Sequence, residues 1–436
     1  MRTDFQNMLK SWLSAEEAER LIATLDTPPP VSIRQHALKA QGELFPGSEP
    51  IPWCPRGRYL STRPVFTLDP RFHAGAYYVQ EASGMSVCRL EPFLTEMTAP
   101  RILDACAAPG GKSTLLLDML PEDGLLVSNE TIRSRIPVLS HNIARWGYGR
   151  VAVTGNDPSA FRKLAGFFDV LVADVPCSGE GLFRKDPASR STWSPALVDL
   201  CVARQRRIVS DLWPSLRQGG LLLYSTCTFN TKENEEQVDW ICNTLGARTL
   251  LEPQKYLPHR ITGEGFFLAL LEKTASAAKQ EKFTAWQSKT KTRMPGNHPE
   301  PLNGSYLYTM KEDLLKATPA CLQREMAFLE TSLHVVHSGI AVAVKKGNDW
   351  IPHPDLSLSV DLKQNAFPRL EVTHTEALAF LRKETVICPE GTEKGFVLIT
   401  FEEYPLGFIK NLGKRSNNLH PASRRILMQQ PTNHIS

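Results

Sequence analysis

Two cysteines carry the most chemistry in this chain: Cys177 in Asp174-Val-Pro-Cys-Ser-Gly179 and Cys227 in Tyr224-Ser-Thr-Cys-Thr228. Each follows an apolar run and opens a polar turn. A cysteine is most often a small buried hydrophobe. In a polar turn after a strand, however, burial is least expected, and a nearby helix start lowers a thiol pKa. Two thiols facing a methyl donor suit methylation of a carbon that must first be activated, and C5 of cytosine is such a carbon. A thiolate adding to C6 turns the ring into an enamine that can attack a methyl sulfonium, which is covalent nucleophilic catalysis.

The elements that must position these thiols centre on Arg101-Ile-Leu-Asp-Ala-Cys-Ala-Ala-Pro-Gly-Gly-Lys-Ser-Thr-Leu-Leu-Leu117. Ile102 and Leu103 read as the end of a buried strand, and Leu115 to Leu117 as the apolar face of a helix. The turn between them is built from Ala, Pro and Gly and leaves the backbone bare. In an open α/β sheet ligands bind in that crevice, and the helix start offers N–H donors and partial positive charge. The turn is not G-x-G-x-x-G, so the dinucleotide of a dehydrogenase fits it poorly. A nucleoside without phosphates fits better, and S-adenosylmethionine is the candidate.

From 101 to 273, strand and helix patterns alternate, which predicts a parallel doubly wound sheet. Strands are expected at 102–103, 125–128, 151–154, 168–174, 219–225 and 265–271, with helices at 136–146, 195–213 and 232–245. Glu130 follows the second strand, where such a fold places the carboxylate that accepts from ribose hydroxyls. Asp157 follows the third and would lie over the next part of the same ligand. Asp174 ends the fourth, beside the switch point. A single strand-end Asp is often only a turn former or cap. Acids after three successive strands on the ligand edge are harder to explain that way.

Composition sets outer limits. At 436 residues, two or three domains are expected. A net charge of +4 is too mild to establish a nucleic-acid partner by itself. No apolar run approaches membrane-spanning length, and Met1-Arg-Thr-Asp-Phe-Gln6 lacks a secretory core. The nine cysteines show no CxxC spacing and the histidines form no cluster, so reduced thiols, a cytoplasmic location and no metal are expected.

Outside the central region, residues 1–30 suggest one or two polar helices with Leu9, Trp12 and Leu13 on an apolar face, stopped by Pro28-Pro-Pro30. The aromatic stretch Phe72–Gln80 favours packing over base stacking. Residues 274–300 read as a polar linker. Residues 301–436 read as one or two small β-rich modules that could split near 367, with a strand at Gly339–Lys345. The segment Tyr404–Leu419 is basic and free of acids, and Arg424 and Arg425 follow it.

Asp104-Ala-Cys-Ala-Ala-Pro-Gly-Gly-Lys112, Asp174-Val-Pro-Cys177 and Ser225-Thr-Cys-Thr-Phe-Asn230 together resemble the signature motifs of the NOL1/NOP2/Sun family of RNA 5-methylcytosine methyltransferases. The resemblance covers about residues 31–273. It implies a Rossmann-like class I methyltransferase sheet over 100–273, after a small N-terminal α+β, RNA-contacting domain over 1–99. The tail resembles the PUA-like RNA-binding region of the bacterial branch that modifies small-subunit (16S) rRNA. By this resemblance Cys227 is the nucleophile and Cys177 assists release. Asp174 lies near both cofactor and flipped base. Ala107, Ala108, Pro109, Gly110, Gly111, Lys112 and Ser113 cradle the methionine end of S-adenosylmethionine, Glu130 holds the ribose and Asp157 lies by the adenine. One departure is Ser32-Ile-Arg-Gln-His36, where relatives commonly read Val-Asn after the Arg; it bears on the N-terminal RNA contact. The implied partner is RNA, free or within the assembled or assembling small ribosomal subunit, with the protein a monomer away from membranes. The alternatives are the same chemistry on tRNA or large-subunit rRNA, and a non-catalytic assembly factor on a vestigial fold. A vestigial copy would not need both thiols together with Glu130, Asp157 and Lys112.

Overall fold

The structure, a computed structural model, describes residues 2–274 and 296–428. Most of the expected linker, 275–295, falls outside the described residues. Two helices, Thr3–Lys10 and Ala15–Thr24, open the chain, the second capped by Ser14, whose hydroxyl accepts from Glu17 N. Four strands follow: β1 (Val31–Gln35), β2 (Glu49–Ile51), β3 (Cys54–Leu60) and β4 (Tyr77–Val79), in the order β2-β3-β1-β4. Within the aromatic stretch Tyr77 is fully buried and packs, whereas Tyr78, Val79 and Gln80 line the cleft at the strand ends. Arg34 is fully buried as well and binds Asp118, Thr114 and Gln80, while His36 bonds Trp146 O at 2.9 Å. This segment therefore docks the N-terminal sheet onto its neighbour and presents neither side chain to RNA.

The central sheet is built from β5 (Arg101–Asp104), β6 (Leu125–Asn129), β7 (Val151–Thr154), β8 (Phe168–Asp174), β9 (Leu216–Thr226), β10 (Ala247–Tyr256) and β11 (Phe266–Lys273). The C-terminal region adds β12 (Tyr306–Lys311), β13 (Leu314–Pro319), β14 (Val335–Ser338), β15 (Ile340–Lys346), β16 (Asp349–Pro352), β17 (Arg369–Glu371), β18 (Gly395–Phe401), β19 (Tyr404–Asn411) and β20 (Ser416–Asn418). The central order is β10-β11-β9-β8-β5-β6-β7-β14. Its inner five strands are parallel, and the chain reverses its direction of winding between β5 and β8. Ile102, Leu126 and Val170 face one buried layer, and Leu103, Val127 and Leu171 the other. Successive side chains of a strand point to opposite faces. Both faces are covered, which is why these strands read as continuous apolar runs.

The sheet departs from the all-parallel expectation. β11, β10 and β14 are antiparallel to their neighbours. No helix separates β10 from β11, so the chain turns back on itself instead of crossing over. The long helix expected at 232–245 is shorter, Glu235–Trp240, and widens into a π turn over Ile241–Gly246. The edge strand β14 comes from the C-terminal region, and Leu322, Met326, Leu329 and Leu333 enter the central core with it. Beyond it lie two small sheets, β12-β13-β15-β16 and β17-β18-β19-β20. The second shares a core with the N-terminal sheet, where Ile33 and Tyr77 meet Val397, Ile399 and Tyr404.

Candidate active site

At the end of β5 the chain makes its tight turn, and the next helix begins at Gly111 with Gly110 in the left-handed region at φ +112°. A β-carbon at Gly110 would stand 3.3 Å from Leu139 and 3.4 Å from Asn142, so both backbone shape and space call for glycine. Asp104 lies beneath the turn, fully buried, and accepts from Ser113 Oγ at 2.6 Å, with Ser128 Oγ 3.0 Å from Ser113 Oγ. Burial raises the Asp104 carboxyl to about 7, against a smaller lowering by the Ser113 bond. Ser113 therefore points into the protein, as an anchor for the helix start.

Ala107, Ala108, Pro109, Gly111, Lys112, Asp174 and Cys227 line a single cleft of about 270 Å³ over the carboxyl ends of the strands. Lys112 Nζ lies 2.7 Å from Asp174 Oδ2, and Ser225 Oγ donates to Asp174 Oδ1 at 2.9 Å. Burial pulls the Lys112 ammonium down, but the charge and bond of Asp174 outweigh it and hold it above its ordinary value. Cys177 stands behind the cleft wall, its Sγ 3.3 Å from Cys227 Sγ. The bond to Cys227, and burial after it, push the Cys177 thiol well above its usual range. That rise keeps the proton on Cys177, within reach of the neighbouring sulfur.

Glu130 and Asp157 lie along the same strand ends, outside the walls of that cleft. Glu130 is buried, with Oε1 accepting from Ile132 N at 2.8 Å. Its Oε2 makes no hydrogen bond and faces Arg135 at 3.3 Å. A buried acceptor paired with a cation but accepting no hydrogen bond suits a hydroxyl donor from a ligand. Asp157 is largely committed elsewhere. Its Oδ1 caps the following turn by accepting from Ser159 N at 3.0 Å and Oγ at 2.7 Å, and its Oδ2 sits 3.3 Å from Arg207.

Sequence reasoning missed the buried network that shapes the two thiol turns. Glu180 accepts from Phe229 N at 2.6 Å, Asn230 N at 3.0 Å and Trp193 Nε1 at 2.9 Å. Glu233 accepts from Ser178 N at 3.0 Å and Gln205 Nε2 at 2.7 Å, and Asn230 Nδ2 reaches both carboxylates at 2.8 Å. Gly181 N donates to Cys227 O at 2.8 Å. The residue positions next to the motifs were the available signal. Glu81, Glu264 and Phe266 were missed too, and all three line the cleft. Among the described residues no group of His, Cys, Asp and Glu could hold a metal ion.

A mostly parallel, doubly wound sheet with a bare glycine turn at its switch point and acids along the strand ends, in a chain whose residues 90–272 match a methyltransferase family, is the fold of a class I methyltransferase. Residues 90–272 match the 16S rRNA methyltransferase RsmB/F family, 1–82 the N-terminal domain of 16S rRNA methyltransferase RsmF, and 367–426 the methyltransferase RsmF PUA domain. The chain is 32% identical over 410 residues to Ribosomal RNA small subunit methyltransferase F of Citrobacter koseri, covering 85% of this chain and 84% of the relative. It is 31% identical over 409 residues to the protein of that name from Escherichia coli O139:H28, with the same coverage. Among solved structures it is similar to PH0851, with a TM-score of 0.57 and 25% identity over 62% of this chain and 65% of that one, just short of two thirds. NSun6 from Pyrococcus horikoshii with SFG, at 20% identity and a TM-score of 0.53, shares the fold over 63% of this chain and 99% of that one. The chain belongs to the RsmF branch of the NOL1/NOP2/Sun family. It is an rRNA methyltransferase whose methyl donor is S-adenosylmethionine and whose substrate is RNA.

Proposed function

We propose that this protein methylates C5 of a cytosine in small-subunit (16S) rRNA through a covalent bond between Cys227 and C6 of the base. The observation that carries the reading is the thiol pair itself: Cys227 on the cleft wall, with the Cys177 sulfur 3.3 Å from it and the Lys112–Asp174 pair in the same cleft. S-adenosylmethionine, when bound, supplies an electrophilic methyl group. The Ala107–Ser113 turn would hold its methionine end, Glu130 its ribose through Oε2, which accepts no hydrogen bond within the protein, and Asp157 would lie by its adenine. Cys227 forms the C6–S bond as a thiolate, and the electron pair moves to C5. A C5–methyl bond would form there as the donor's sulfonium–methyl bond breaks and leaves its electron pair on that sulfur; the C5 proton would then pass to water, and the C6–S bond would break with its electrons returning to the Cys227 sulfur, which restores the ring. Cys177 assists that release, and Asp174 orients the base beforehand.

The same reading divides the chain into a 1–99 RNA-contacting domain, a 100–273 methyltransferase domain, a 274–300 linker and a 301–436 PUA-like region. It places the protein in the cytoplasm as a monomer acting on free or subunit-borne rRNA. Among the described residues no helix is long and apolar enough to cross a membrane. One gel with labelled RNA tests the chemistry. Cys227→Ala should lose both turnover and covalent adduct, whereas Cys177→Ala should leave protein linked to RNA through denaturing electrophoresis. An adduct with Cys227→Ala and none with Cys177→Ala reverses the roles; full turnover in both variants sinks the covalent mechanism.

A further inference from the structure

Glu264 stands two residues before β11, whose Phe267 pairs with Thr226 across the sheet, so its loop is pressed against the Cys227 turn. The contact is close. A β-carbon at Gly265 would come 2.3 Å from the Phe229 ring, and one at Gly181 would meet Cys227 O at 2.8 Å and Gly265 O at 3.0 Å. Glu264 lines the same cleft as Cys227 and Asp174, yet it is only 3% exposed. Neither of its carboxyl oxygens makes a hydrogen bond, and the nearest cation, Arg184, is 4.0 Å away. Its neighbour Glu81 is by contrast fully used, accepting from Glu264 N, Ser83 N, Ser83 Oγ and Gly84 N. A buried carboxyl that accepts no hydrogen bond in a reaction cleft calls for a donor, because leaving its oxygens unsatisfied is costly.

We propose that Glu264 reads the Watson–Crick edge of the flipped base, accepting a hydrogen bond from the exocyclic amine of cytosine and so excluding uracil. This rests on the cytosine-C5 reading above. A carboxyl oxygen is the complement of the cytosine N4–H donor, whereas uracil presents an oxygen at the same place. Reading a flipped base on that edge is how enzymes of this kind select their target. Burial raises the Glu264 pKa, while Lys185 and Arg184 oppose it and Glu81 adds to it. The protonated form would also donate to N3, and either state keeps an acceptor for the amine.

The test uses the full-length protein with S-adenosylmethionine and two small-subunit rRNA transcripts, offered naked and in reconstituted subunits. One carries 5-fluorocytidine for cytidine, the other 5-fluorouridine at the position where the first is trapped; the fluorine blocks loss from C5 and traps the adduct. Wild type should trap only the first. Glu264→Gln, whose amide can donate to a uracil oxygen, should narrow the cytosine-to-uracil ratio by about 5- to 150-fold. Glu264→Ala should slow trapping on cytosine by a similar factor. Cofactor affinity by calorimetry should stay at the wild-type value, which also reports folding; if the alanine variant does not fold, the isosteric glutamine variant decides. Folded variants that trap cytosine at the wild-type rate and ratio overturn the inference and leave the C5 reading intact. A wild-type protein that traps neither transcript overturns the C5 reading and this inference with it.

Discussion

The Lys112 ammonium and the Asp174 carboxylate, 2.7 Å apart, close the switch point of the sheet, one from the helix after β5 and the other from the end of β8. Removing the acid leaves a half-buried cation in the cleft without its partner. Asp174→Ala should lower stability in urea by about 1.5–3 kcal/mol, the usual range for hydrogen bonds to charged groups. Turnover should fall without accumulation of an RNA adduct. A variant that accumulates adduct would move Asp174 from orienting the base to a step after attack.

Asp104 makes stability depend on pH. Its folded-state pKa, about 7, lies above the ordinary value of 3.8. The folded chain therefore holds this proton where the unfolded chain has released it. The resulting stabilisation is complete below the unfolded value and is lost as pH rises towards 7. Asp104→Asn should flatten that part of the profile. Urea unfolding at pH 5 and pH 8, for parent and variant, measures the difference between their slopes; equal slopes would mean Asp104 is ionised in the fold.

The two other strand-end acids should behave differently towards cofactor. Glu130→Ala removes a buried acceptor and should weaken S-adenosylmethionine binding by about 1.5–3 kcal/mol, with the fold intact. Asp157→Ala removes a cap and should cost about 0.5–2 kcal/mol of stability, with a smaller loss of affinity, because its carboxylate already serves Ser159 and Arg207. Calorimetry on both variants ranks them, and an unchanged affinity in folded Glu130→Ala removes that residue from the site.

The C-terminal region cannot be cut away cleanly at 301, since β14 and the residues around Leu329 complete the central sheet and core. Truncation there should yield an unstable protein. Charge reversal is the better probe. Arg424 points inwards to Asp355 at 2.6 Å, but Lys414 and Arg415 are exposed. Lys414→Glu with Arg415→Glu should raise the RNA KM and reduce the log–log salt slope by about one for each phosphate that these side chains neutralise. Cofactor affinity should hold, and an unchanged slope would exclude these two from binding RNA.

Much of this protein is legible locally. The apolar runs of β6, β7 and β8, the helix at Ile136–Trp146 and the glycine turn before Lys112 depend on periodicity and on near neighbours, which are written in order along the chain. The acids and cysteines after the strands could be placed on the ligand edge for the same reason. What only the tertiary structure decided is every relation between distant segments. It sets the 3.3 Å between Cys177 and Cys227, and it turns Arg34 and Arg424 inwards onto Asp118 and Asp355. It also commits Asp157 to a cap, brings Glu264 to the thiol turn and adds β14 to a sheet begun far upstream. None of these has a local signature, because the free energy that selects them comes from burial and pairing across the fold, where the partner's identity depends on topology and not on spacing.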